Sequence, residues 1–171
     1  MTRIIAVANQ KGGVGKTTTT LNLAHALTEG GRARVLLCDL DPQASLTVAL
    51  GFQIHRLPAT VYSLLRDFDA KRGARSVIQP TPIPGVDLLP GTIDLANAET
   101  ELMGELNRER TLAAILEPLR GSYGFILCDC PPSLSLLTIN VLTVADEVLV
   151  PIEPDYLALR ALEHLLATID K

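Results

Sequence analysis

The chain has 171 residues, with Lys+Arg 15 against Asp+Glu 19 for a formal net charge of −4, and 47% of its residues are hydrophobic. At this length roughly 70% of the unfolded chain's surface can leave water, so the composition excludes a disordered tail, a collagen-like chain and a coiled coil. No apolar run approaches the ~20 residues that a membrane-spanning helix needs. Short apolar runs bounded by turn residues predict buried strands at Arg3–Ala8, Val35–Cys38, Phe125–Cys128 and Glu147–Ile152, with weaker ones at Val77–Ile78 and Val86–Leu89. Between them, helical spacing predicts Lys16–Glu29, stopping at Gly30-Gly31, then Leu95–Leu106 and Thr111–Leu119. Leu134–Ala145 follows with Ser133 as its expected cap, and Tyr156–Ile169 closes the series as an amphipathic helix. The stretch Pro80–Pro84 reads as a stiff connector. The near-continuous apolar strands alternate with helices. The expected fold class is therefore α/β, a mostly parallel sheet flanked by helices.

Three segments carry chemistry. Asn9-Gln-Lys-Gly-Gly-Val-Gly-Lys-Thr-Thr18 follows a strand and opens a helix, the context a phosphate-binding loop requires. Gly12, Gly13 and Gly15 have no side chains to keep a phosphate from the backbone N–H groups. The helix from Lys16 aims its positive end at the same phosphates, Lys16 adds a cation, and the Thr17 hydroxyl is placed to ligate Mg²⁺. The usual pattern wants glycine at position 10, where this chain has Gln10, and Lys11 precedes the glycine pair.

The second segment, Cys38-Asp39-Leu40-Asp41-Pro42-Gln43, lies at a strand's carboxyl end, where open α/β sheets place ligands. Asp39 and Asp41 share a face while the chain is extended. Two carboxylates beside a polyphosphate favour holding hydrated Mg²⁺ or orienting the attacking water, while Asp41 alone also suits an Asx-turn or helix cap. The third segment ends an apolar strand in Asp129 and continues Cys130-Pro-Pro-Ser133. A strand-terminal aspartate downstream of the other two is the partner expected behind a loop-bound Mg²⁺. Cys38, Cys128 and Cys130 fit no structural zinc spacing and read as buried strand cysteines. His25, His55 and His164 carry no motif.

KGGVGKTT resembles the deviant Walker A loop of the ParA/MinD family of P-loop ATPases, with Lys11 matching its signature lysine. DLDPQ and the run DCPPSLSLLTINVL resemble the ParA form of the family, as do TIDLANAETEL and VPIEPDYLALRALEHLLATI, so the resemblance spans nearly the whole chain. It implies a P-loop NTPase fold and an ATP/ADP and Mg²⁺ site at Lys11, Gly12, Gly13, Val14, Gly15, Lys16, Thr17 and Thr18. Thr17, Asp39 and Asp129 then stand on the metal side, and Lys11, Lys16 and Asp41 act in catalysis. Asp41 matches the water-positioning aspartate, Asp39 the carboxylate nearer the metal. Lys11 would reach the partner's nucleotide across an ATP-dependent sandwich homodimer. The resemblance further implies a slow ATPase that partitions plasmid or chromosomal DNA or positions cargo, with a centromere-binding ParB-like partner, non-specific DNA contact and a nucleoid-associated, cytoplasmic location. Residues 1–171 are expected to form a single ParA-like nucleotide-binding domain that lacks the family's usual C-terminal part, which carries much of the adenine pocket and basic DNA surface. Two alternatives share the loop. One is a MinD-like membrane-positioning ATPase, disfavoured by acidic Glu163 and Asp170 in the last helix. The other is an amidoligase of the cobyrinic acid a,c-diamide synthase type.

Overall fold

A computed structural model describes residues 1–66, 73–154 and 156–169. Its centre is a six-stranded sheet made of β1 (Arg3–Val7), β2 (Val35–Asp39), β3 (Gln79–Pro80), β4 (Val86–Leu89), β5 (Phe125–Asp129) and β6 (Glu147–Leu149). The strands lie in the order β3-β4-β2-β5-β1-β6, and every pairing is parallel except β3 with β4. The helices are α1 (Lys16–Thr28), α2 (Ser45–Ala49), α3 (Val61–Arg66), α4 (Leu95–Glu101), α5 (Thr111–Leu116), α6 (Leu136–Val144) and α7 (Tyr156–Ile169).

Strand periodicity divides the apolar runs between two cores. Ile5, Val35, Leu37 and Leu127 face one side, with Ala24 of α1 and Leu46 of α2. Ile4, Ala6, Leu36, Cys38, Ile126 and Cys128 face the other, against side chains of α3 to α6 and Leu165 of α7. Burial on both faces explains why these strands read as continuous apolar runs rather than alternating ones. The cysteines take the interior positions expected of them: Cys38, Cys128 and Cys130 are free and buried.

The register fixes the functional end. Val7 of β1 and Asp39 of β2 both pair with Asp129 of β5, so the carboxyl ends of the three central strands stop at one level. The ladder runs one step further, with Leu40 N–H donating to Asp129 O (3.0 Å) and Cys130 N–H to Val7 O (3.2 Å).

Several boundaries differ from the sequence expectation. Val77–Ile78 is not a strand. Val77 closes a 3₁₀ turn and is buried, and pairing begins at Gln79–Pro80 as a two-residue antiparallel edge, a position proline tolerates. Leu95–Leu106 is too long: α4 ends at Glu101, a 3₁₀ turn runs to Gly104, and Asn107 is left-handed at φ 58°. Leu106 is 93% exposed. Helix α5 gives way to a 3₁₀ turn at Glu117–Leu119, where Pro118 lacks an N–H. The cap expected at Ser133 lies at Ser135, which is extended, while Ser133 O accepts from Thr138 Oγ1 (2.7 Å). Strand β6 stops at Leu149, because Pro151 and Pro154 remove ladder donors. Helices α2 and α3 were not foreseen.

Among the described side chains of the last helix Leu165 is buried, whereas Leu166 and Ile169 are 49% and 41% exposed. The side chains of Leu157 and Leu159, and Asp170 as a whole, lie outside the described residues.

Candidate functional site

The loop leaving β1 is shaped by one asparagine and two left-handed glycines. Asn9 is nearly buried; its Oδ1 accepts from the Lys11 N–H (2.9 Å) and its Nδ2 donates to Pro151 O (2.7 Å). Gly13 and Gly15 sit at φ 77° and 84°, a region that side chains other than glycine rarely occupy. A Cβ built on Gly12, Gly13 or Gly15 would meet nothing within 4 Å, so the loop's inner face opens on space that a ligand can use. Val14 is buried. Gly15 is also the cap of α1, whose first turn holds no acidic side chain. The N–H groups of Lys16, Thr17 and Thr18 therefore stand at a helix start with neither intrahelical acceptors nor a neutralising carboxylate on the helix, the arrangement that attracts anions.

Lys16 is buried to 8% exposure and curls back so that Nζ donates to Lys11 O (3.3 Å). Burial lowers the pKa of its ammonium, while Asp129 and Asp41 act against that shift. Thr17 Oγ1 donates to Asp129 Oδ2 (2.6 Å). The other oxygen, Asp129 Oδ1, is buried with no hydrogen-bond partner. Burial raises the Asp129 pKa to about 7; the Thr17 hydrogen bond and Lys16 hold it down, and Asp39 and Asp41 push it further up. An orphaned carboxylate oxygen beside a threonine hydroxyl is a hard-oxygen donor set, and it fits a hydrated Mg²⁺.

Asp39 sits deeper and is fully buried. Its Oδ2 accepts from both the Thr47 N–H (2.8 Å) and Thr47 Oγ1 (2.6 Å), and Oδ1 from the Asp41 N–H at a long 3.4 Å. Burial raises its pKa to about 6, with the Thr47 and Asp41 hydrogen bonds opposing. Thr47 Oγ1 in turn accepts from the Gly91 N–H (2.9 Å). Position 91 must be glycine, since an added Cβ would lie 2.8 Å from Asp39 O and 2.9 Å from its carboxyl carbon. Asp39 thus ties the loop after β2 to the loop after β4.

Asp41 is half-buried at the rim. It forms the Asx-turn that its type allows, with Oδ1 accepting from the Gln43 N–H (2.9 Å), while its carbonyl accepts from the Ala44 N–H (2.8 Å). Ala44 is left-handed at φ 49°, a strained setting for a residue with a Cβ.

The three central strands thus bring Lys16, Thr17, Asp39, Asp41 and Asp129 to one end of the sheet. Thr18 is exposed on the outer side of the first turn. Lys11 is at the rim, where Nζ pairs with Glu153 (2.7 Å). Four contributors went unassigned in the sequence: Asn9, Thr47, Gly91 and Glu153. Asn9, two residues before Lys11, carries a readable Asx signal. Thr47 and Gly91 depend on contacts 8 and 44 residues away along the chain.

The whole of residues 2–171 matches the protein family described as "AAA domain". The chain is 46% identical over 169 residues to the sporulation initiation inhibitor protein Soj of Bacillus subtilis, covering 99% of this chain and 65% of Soj. It is also 46% identical over 169 residues to the chromosome partitioning protein ParA of Myxococcus xanthus, covering 98% of this chain and 58% of that protein. Among solved structures it superposes with a TM-score of 0.91 and 45% identity on a protein described as cobyrinic acid a,c-diamide synthase from Mycobacterium smegmatis with bound ADP and magnesium, covering 99% of this chain and 67% of that one. The chain spans less than two thirds of the length of these two curated relatives. The lysine-led glycine loop, the strand-end aspartates and the family match over residues 2–171 agree: the chain belongs to the AAA-domain family, and its sequence is similar to Soj and ParA.

Proposed function

We propose that this chain is the nucleotide-binding part of an ATP-driven switch that partitions DNA or positions related cargo. The observation that carries the reading is the buried, unpartnered Asp129 Oδ1 beside Thr17 at the mouth of an open glycine loop. The backbone of Gly12, Gly13, Val14, Gly15, Lys16, Thr17 and Thr18 would cradle the phosphates of ATP or ADP, with Lys16 supplying a buried positive charge. Thr17 would hold Mg²⁺ directly, with Asp129 and the deeper Asp39 behind it. Mg²⁺, when bound, neutralises charge on the phosphate oxygens. Asp41, kept at the rim by its Asx-turn, orients the attacking water. Turnover then comes from positioning and charge stabilisation and is slow.

In this reading two nucleotide-bound copies close face to face and Lys11 of each reaches the other's phosphates. A DNA-bound ParB-like protein stimulates release, and the cycle takes place on the nucleoid. Support for the cargo comes from the name of the M. xanthus relative, chromosome partitioning protein ParA, at 46% identity. Lys16→Ala should abolish Mg²⁺-ATP binding in calorimetry, whereas Asp41→Ala should bind without turning over. Retained hydrolysis by purified Asp41→Ala protein would remove Asp41 from its role.

A second reading draws on the name of the M. smegmatis structure: an amidoligase that uses ATP to activate a carboxylate. Glutamine- or ammonia-dependent ATP consumption would favour it, and nucleotide turnover indifferent to both favours the switch. A membrane-positioning role has less behind it. Among the described residues no helix is long and apolar enough to cross a membrane, and α7 carries an exposed Glu163. Co-sedimentation with anionic liposomes tests that version.

A further inference from the structure

We propose that Glu153 is a resting counter-ion of Lys11, holding the loop lysine inside its own protomer until a second nucleotide-bound copy takes it. The inference rests on the sandwich-dimer reading above and deepens it.

Residues separated by 142 positions in the chain meet here, with Lys11 Nζ donating to Glu153 Oε2 at 2.7 Å. The contact is one of several between the phosphate loop and the segment that follows β6. Ala8 N–H donates to Leu149 O (3.1 Å) and Asn9 Nδ2 to Pro151 O (2.7 Å). Asn9 Oδ1 accepts from the Lys11 N–H (2.9 Å), so one nearly buried side chain fixes both the start of the loop and the course of the strap beside it. Prolines at 151 and 154 bracket Glu153 and narrow the backbone freedom on either side. The ammonium is thereby delivered to a defined carboxylate.

The pair is well placed to exchange. The Lys11 side chain is 30% exposed and that of Glu153 53% exposed, so both ends can be reached from outside the protomer. A solvent-exposed ion pair is weak, whereas a polyphosphate offers several negative oxygens to the same ammonium. Glu153 in its own chain and a phosphate in the other copy therefore compete for the Lys11 ammonium. Each dimer formed breaks two such pairs, one per protomer, and Glu153 sets the threshold at which dimers appear. Glu153 is a positioning residue: it acts through Lys11 and is assigned no contact with the nucleotide.

Sedimentation equilibrium with Mg²⁺ and a non-hydrolysable ATP analogue tests this on the wild-type chain and on Glu153→Gln, Glu153→Asp, Glu153→Lys and Lys11→Gln. Glu153→Gln should tighten the dimer roughly two- to twentyfold, the product of two exposed pairs no longer broken. Glu153→Lys should tighten it at least as much, and Glu153→Asp should return it toward wild type. In nucleotide-free protein, acylation of the Lys11 amine, followed by mass spectrometry of its peptide, should run roughly two- to fivefold faster in Glu153→Gln. A Glu153→Gln protein that dimerises no more tightly than wild type overturns the proposal, as does one whose Lys11 is acylated at the wild-type rate. Lys11→Gln separates the two levels. If it still dimerises like wild type, the sandwich reading fails. If it does not dimerise while Glu153→Gln matches wild type, only the resting pair fails. Should the wild-type chain form no dimer at all, the sandwich reading falls and the acylation rates still decide whether Glu153 restrains Lys11.

Discussion

The two ends of the central sheet treat charge in opposite ways. At the amino end, acids are matched to bases in half-exposed pairs. Arg120 grips Asp146 with both terminal nitrogens (3.0 and 3.3 Å), reaches Glu117, and donates to Thr2 O. Arg34 pairs with Asp87, which also accepts from the Tyr123 hydroxyl (2.9 Å). The Arg120 hydrogen bonds hold the Asp146 carboxyl below its ordinary pKa. At the carboxyl end, Asp39 and Asp129 are buried and their pKa values rise to about 6 and about 7. Among the described residues no guanidinium is bonded to either, and one oxygen of Asp129 has no partner. The same strands thus carry a fastening at one end and a site at the other. A fold can satisfy its acids, as it does near Arg120. Leaving Asp129 unsatisfied is therefore a property of the site and not of the scaffold.

Four substitutions sharpen or break this contrast. The largest effect is expected at Lys16. Lys16→Ala should lose Mg²⁺-ATP binding in titration calorimetry, a drop of about 100-fold or more, as expected when a buried charge-assisted contact of about 2–3 kcal/mol is removed; a loss under threefold would mean that the carboxyl end is not a phosphate site. Gly91→Ala comes next. Its Cβ would collide with the Asp39 backbone and carboxyl, so denaturant melts should show a loss of about 1–3 kcal/mol. Gly104→Ala, with nothing within 4 Å and no positive φ, is the matched control.

The third concerns pH. Asp129 has a folded-state pKa of about 7, above the ordinary 3.8, so between those values the folded ligand-free chain binds more protons than the unfolded one. Its stability therefore falls as pH rises through that window, and Asp39 adds to the slope up to about pH 6. Asp129→Asn should flatten the stability profile by up to about 1.4 kcal/mol per pH unit. A wild-type chain that gains stability from pH 5 to 7 would contradict the assignment. The smallest effect belongs to the fastening. Arg120→Ala opens pairs whose side chains are 29–55% exposed, and should cost about 1 kcal/mol or less without changing nucleotide affinity.

The sequence made the strand cores and the glycine loop legible because both are local. Strands such as Val35–Asp39 need only a run of apolar residues between turns, and Gly12–Thr17 needs only its own backbone. Asp129 was readable as the end of such a run. What escaped was set by contacts distant in the chain. Helices α2 and α3 have 5 and 6 residues, too few for a helical period to stand out. Gly91 gives no local sign of its purpose, because the atoms it makes room for belong to Asp39. Asp41 left two local readings open, and the Asx-turn among them is present in the fold. Glu153 sits between two prolines and resembles a loop acid until the strap beside Asn9 is seen.

The pairing of Val7 and Asp39 with the same residue, Asp129, has an evolutionary corollary. Deleting one residue inside Phe125–Cys128 would exchange the two buried faces along that strand, bring Cys128 into the wrong core and draw the carboxylate away from Thr17. Surface helices can lengthen or shrink without touching this alignment. Kin of this chain should therefore differ freely in their outer layers while tolerating no insertions or deletions between the start of each central strand and the loop it feeds.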